Sequence, residues 1–182
     1  MAAFSETKVT EAAVHLLRLR DGKMSYLKLL KLLYLADREA LHRWGVPITH
    51  DRYVSMDHGP VLSQTYNLVK DGSRVWSRHI SAPQGWDIRL LDEKMEPQAL
   101  SPAEERLLDE IFAQHGNKTR WDIVDELHEL PEWHDPHGSS IPISREAILT
   151  ALGESPEDIQ AILAELEREE QISERIGPRA HA

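Results

Sequence analysis

The run from Tyr26 to Trp44, YLKLLKLLYLADREALHRW, constrains the fold more than any other part of the chain. It is apolar almost all round, and a helix of that kind is wrapped by other elements instead of lying on a surface. Ser25 stands where an N-cap belongs, and Gly45 with Pro47 beyond it marks the stop. The polar positions Lys28, Lys31, Arg38, Glu39 and His42 fall near one narrow stripe at 3.6 residues per turn. The expectation is therefore a core helix with a single wet edge, and the rest of the chain must cover its other sides.

The covering elements are mostly helical by pattern. Thr7 to Arg20 carries apolar residues at helical spacing and ends at Asp21-Gly22. Gly59-Pro60 resembles a helix start, with proline at the first position, leading a helix from Val61 to Lys70. Ser101-Pro102-Ala103-Glu104 has the form of a capping box with a first-position proline, and Thr119 caps a further helix that Pro131 ends. Ser144 and Ser155 open two more. Between them the period changes twice: extended character is expected around Tyr53 to Met56, and Trp86, Ile88 and Leu90 alternate with Asp87 and Arg89 behind a Pro-Gln-Gly turn. The resulting expectation is a mainly α, single globular domain around a central apolar helix, with a small β-hairpin at about residues 74–92.

Charge is unevenly shared. The chain of 182 residues has a net charge of −10, but residues 1–90 hold thirteen Lys/Arg against nine Asp/Glu, and the acidic excess lies beyond them. The overall sign argues against nucleic acid as the main partner, while the basic excess of the first half keeps a DNA-binding autoregulator as an alternative. The acidic run that includes Glu165, Glu167, Glu169 and Glu170 suits either plain solvation or a basic protein partner. Without cysteine there are no disulfides and no thiolate metal ligands, which fits a reducing cytoplasm. Neither a membrane span nor a secretory signal is expected.

Catalytic constellations are sparse. His128, His134 and His137, with Asp125, Glu129 and Asp135 nearby, suggest a metal-dependent enzyme as a weaker alternative, but Pro131 breaks the helix before a second histidine can share a face with His128. Asp57-His58 can be read as an acid–base pair at a helix start, yet no nucleophile elbow or phosphate loop accompanies it. No catalytic residue, metal or cofactor is expected. Five tryptophans are many for this length, and they serve either as interface anchors or as glue between the hairpin, the loops and the core.

One ordered set of residues resembles a known family. Lys28-Leu29-Leu30-Lys31-Leu32-Leu33-Tyr34-Leu35-Ala36-Asp37-Arg38 is followed by Gly45, Pro47-Ile48, Tyr53, Gly59-Pro60-Val61, Tyr66 and Leu68-Val69-Lys70. Leu127-His128 and Pro131-Glu132-Trp133 then form a second block, with the hairpin and the Ser101 helix between the blocks in the matching order. Together these resemble the Panacea domain of SocA-like antitoxins over roughly residues 8–140. The resemblance implies a mainly helical, non-catalytic antitoxin of a bacterial or phage toxin–antitoxin pair. Its partner is then a cognate toxin bound directly, and a cellular protease or a second copy of the chain are further candidates. The matched domain is assigned to residues 1–142 and an acidic helical extension to residues 143–182. The resemblance supplies no functional residues. The expected contact residues come instead from the polar edge of the central helix (Lys28, Lys31, Arg38, Glu39), from Asp57 and His58, and from Glu165, Glu167, Glu169 and Glu170.

Overall fold

A computed structural model describes residues 3–91 and 95–176. Asp92, at the end of the expected hairpin, and residues 177–182 of the expected extension lie outside the described residues. In chain order the elements are α1 (Glu6–Arg18), β1 (Lys23–Ser25), α2 (Tyr26–Trp44), β2 (Tyr53–Met56), β3 (Gly59–Leu62), α3 (Ser63–Asp71), α4 (Trp76–His79), β4 (Asp87–Arg89), α5 (Pro102–His115), α6 (Arg120–His128), β5 (Ile141–Ile143), α7 (Arg145–Ala151) and α8 (Pro156–Ile176). The chain is mainly α, with two small antiparallel sheets ordered β1-β4 and β3-β2-β5.

The central helix is where the sequence places it. Leu29, Leu30, Leu32, Leu33, Tyr34, Ala36, Ala40 and Leu41 of α2 are all buried, packed by α1, α5, α6, α7 and β3. Gly45 ends α2 in the left-handed conformation at φ 68°, which glycine adopts without steric cost. At the other end the expected Ser25 cap is corrected. Ser25 precedes the helix, but its Oγ is buried without a partner, and the Tyr26 N–H is satisfied instead by the Trp86 carbonyl at 2.8 Å. The turn of the hairpin thus sits on the start of α2.

Gly59-Pro60 does not begin a helix. It opens β3, which pairs with β2 through Met56↔Gly59 to Tyr53↔Leu62, so Asp57 and His58 form the tight turn between the two strands. Proline suits this site because β3 is the edge of its sheet, where a missing N–H costs no ladder bond. The first-turn N–H groups of α3 are capped from a distance: the Asp51 carboxylate accepts from the Gln64 and Thr65 backbone N–H groups at 2.9 and 2.8 Å.

The hairpin forms over residues 79–91, with Ile80 bridged to Leu90 and a turn closed by Gln84 and Asp87. Its second arm, β4, pairs onward with β1. The positions just before it form α4, whose Trp76 is fully buried. The caps on Ser101 and Thr119 both form complete capping boxes, with Glu104 and Asp122 reaching back. Beyond the loop that follows α6, β5 adds to β2 through Tyr53↔Ile143, α7 touches α2, and α8 buries Ile159 and Leu166. None of the described helices is long and apolar enough to cross a membrane.

Candidate functional site

The polar positions of α2 are not one wet edge. Lys28 and Lys31, expected to meet a partner, are buried, and each ammonium is taken up by backbone carbonyls. Lys28 Nζ donates to Gly116 O at 2.5 Å and Lys118 O at 2.6 Å, placing its charge at the C-terminal end of α5. Lys31 Nζ donates to Pro60 O at 2.7 Å. Burial lowers Lys31 to about 7. Lysine stems are apolar enough to pack inside once the ammonium is satisfied, and helical periodicity cannot report what covers a given face. The exposed edge starts only at Arg38 and Glu39, which are half-buried; Glu39 pairs with Arg43 at 2.6 Å.

A buried polar frame surrounds α2. Glu132 accepts from Tyr34 Oη at 2.9 Å and Arg38 Nε at 2.7 Å. Trp133 donates its indole N–H to the Met56 carbonyl at 3.2 Å and stacks on His128 with centroids 4.1 Å apart. Asp37 accepts from the Thr49 N–H at 3.0 Å, from the Thr49 hydroxyl and from the Tyr53 hydroxyl at 3.0 Å; burial raises its carboxyl to about 6. The Pro131-Glu132-Trp133 segment therefore locks the loop after α6 onto both α2 and the β2–β3 turn.

With this geometry in place, comparison with known proteins adds a family. The family model described as antitoxin SocA-like, Panacea domain, matches residues 29–134. The chain belongs to this family. Neither a curated protein nor a solved structure matches it. Within the matched span, the residues that carry the family resemblance mostly build the interior. Lys31, Pro60, Tyr34, Arg38, Glu132 and Trp133 bond to one another or to the adjoining backbone, and leave little of themselves for a partner.

What the antitoxin domain does present is an aromatic face beside the β2–β3 turn. Tyr26 at the start of α2 stacks on Trp86 from the hairpin turn, with centroids 5.5 Å apart. Trp86 meets Trp121 edge-on at 5.9 Å, and His58 meets Trp121 edge-on at 5.4 Å. The Arg120 guanidinium lies 5.1 Å from the Trp86 ring centroid and 5.4 Å from that of Trp121. Trp121 remains 43 % exposed, and Asp57 and His58 are exposed on the turn. Next to the cluster is a pocket of about 320 Å³ with a mainly apolar wall that includes Tyr26, Leu30, Val61, Tyr66 and Trp86.

The sequence singled out Asp57 and His58 but missed Tyr26 and Arg120, because four separate segments supply the cluster; the tryptophan count was the only signal. Trp76 and Trp133 fasten the core; Trp86 is half-buried between Tyr26 and Trp121, and Trp121 is exposed. Glu165 and Glu167 are exposed on α8, Glu169 is half-buried, and Glu170 pairs with Arg145 at 2.7 Å. The histidine region does not converge: His128 is stacked on Trp133, the exposed His134 donates its backbone N–H to the Ser55 hydroxyl, and His137 is exposed. Among the described residues no group of three or more His, Cys, Asp or Glu side chains is placed to hold a metal ion.

Proposed function

We propose that the protein neutralises a cognate toxin by direct protein–protein binding, and that the Tyr26–His58–Trp86–Trp121 face is where the toxin docks. Family membership supports the antitoxin reading. The observation that carries the docking face is the aromatic cluster, with His58 and Trp121 exposed and Tyr26 and Trp86 half-buried, held at fixed geometry by stacking and by Arg120 and adjoining an apolar pocket. Aromatic side chains fixed in this way are the residues that contribute most to protein interfaces, because little conformational entropy is lost when they are covered. Asp57 and His58 belong to the same face, while Arg38, Glu39 and the α8 carboxylates lie outside it. No catalytic step is assigned to the chain. Where a cellular protease removes the toxin, the chain acts as the adaptor that holds it.

Co-expression with the neighbouring reading frame tests this function. The neighbour alone is expected to arrest growth, the pair to grow and the two proteins to co-purify. A neighbour that is harmless alone and does not co-purify contradicts the reading.

A further inference from the structure

On the other side of the aromatic cluster, a pocket of about 460 Å³ is lined by five cationic residues, Arg20, Lys23, Lys28, Lys118 and Arg120, against one acid, Asp87. Such a concentration of positive charge is unexpected in a chain of net charge −10. Three of the cations are already engaged. Lys23 pairs with Asp87 at 2.6 Å, Lys118 with Glu126 at 2.6 Å, and Lys28 holds two carbonyls. Arg20 is exposed and makes no side-chain hydrogen bond or ion pair among the described residues, and Arg120 spends only its ring-facing side on the tryptophans. Two guanidiniums are therefore open to a bidentate anion, in a pocket walled on one side by Trp121. Lys28 records the crowding: burial and then the Arg20 charge hold it below the ordinary lysine value.

We propose that this pocket takes an acidic segment of the partner protein, with carboxylates on Arg20 and Arg120 and a neighbouring bulky apolar side chain in the pocket beside Trp86. The proposal rests on the antitoxin reading and gives the partner's chemistry. Two features favour a short peptide over a nucleic acid. The five cations converge on one compact pocket, and the chain as a whole carries a net charge of −10, which disfavours a polyanion along its surface. The adjoining apolar pocket also calls for a side chain next to the charges, which a polypeptide supplies.

Fluorescence anisotropy on the purified full chain tests this with three labelled probes: a short peptide of Asp and Glu around one Phe, the same peptide with Lys for every acid, and a short single-stranded oligonucleotide. The acidic peptide is expected to bind, to weaken as salt rises, and to lose about tenfold in affinity in the Arg20→Glu/Arg120→Glu variant. That variant is expected to keep its far-ultraviolet dichroism and melting temperature, since neither guanidinium anchors the core. No binding of the acidic peptide, equal binding of the basic peptide, or oligonucleotide binding alone overturns the proposal. A concentration-dependent dimer that the same variant disperses also overturns it, by giving the pocket to α8 of a second copy. Growth rescue separates the two readings. Wild-type rescue that survives in the double variant sinks the pocket and leaves the antitoxin function standing, whereas failure of wild-type rescue sinks the function and leaves the peptide assay to decide the pocket.

Discussion

Lys31 is the residue at which burial makes the sharpest quantitative demand. Its side chain is fully buried, its ammonium meets Pro60 O at 2.7 Å, and burial brings it from 10.5 to about 7. A displacement of that size corresponds to roughly 5 kcal/mol of preference for the neutral amine inside the fold. The folded value lies below the unfolded one, so between these limits the unfolded chain holds more protons and stability rises with pH. Between about pH 7 and about pH 9 the gain is roughly 2 kcal/mol, because the folded lysine has shed its proton while the unfolded one keeps it. Lys31→Met removes this titration and keeps most of the packing volume. Any pH-independent change from the lost hydrogen bond cancels in the slope. Urea unfolding followed by tryptophan fluorescence, on both proteins across that range, should show the wild type gaining about 2 kcal/mol relative to the variant. Parallel pH dependences would refute the reasoning, because they would mean that Lys31 is not held in a desolvated site.

Other outcomes follow from the same interior. Asp37 is raised by burial from 3.8 to about 6, so the fold binds the extra proton and this contribution to stability falls as pH rises through that window; relative to Asp37→Asn the wild type should lose about 2 kcal/mol from pH 4 to pH 6 in denaturant titrations. Glu132→Ala leaves the Tyr34 hydroxyl and the Arg38 guanidinium without their carboxylate and should cost roughly 3 kcal/mol in chemical denaturation. Gly59→Ala meets a φ of 90° and Lys31 Nζ at 3.2 Å from the new Cβ, and a loss of about 1–2 kcal/mol is expected by thermal melting. Trp86→Ala with Trp121→Ala should abolish growth rescue while leaving a cooperative melt, whereas charge reversal of Glu165, Glu167, Glu169 and Glu170 should leave rescue intact.

The architecture was legible wherever local chemistry decides it. The α2 run, Gly45, and the Ser101 and Thr119 caps each announce an element from a few adjacent residues, and each element is there. Reading failed where a distant group does the satisfying. Ser25 stands in cap position, but the Trp86 carbonyl takes the Tyr26 N–H; Asp51 caps α3 from outside the helix; and Gly59-Pro60, equally suited to a helix start or an edge strand, is decided by its pairing with β2. Lys28 and Lys31 misled for the same reason, since only the folded chain brings Gly116, Lys118 and Pro60 to them. At the candidate site the Asp57-His58 turn was visible as a motif. Its aromatic surroundings were not, because Tyr26, Trp86 and the Arg120-Trp121 pair are far apart in the chain and share no local pattern.

Hydrogen exchange on the chain alone and saturated with its toxin tests the central claim most directly. Docking on the aromatic face predicts slowed exchange at the Asp57-His58 turn, around Trp86 and at Arg120-Trp121, with α8 unchanged. Protection confined to α8, or none at these three segments, would contradict it.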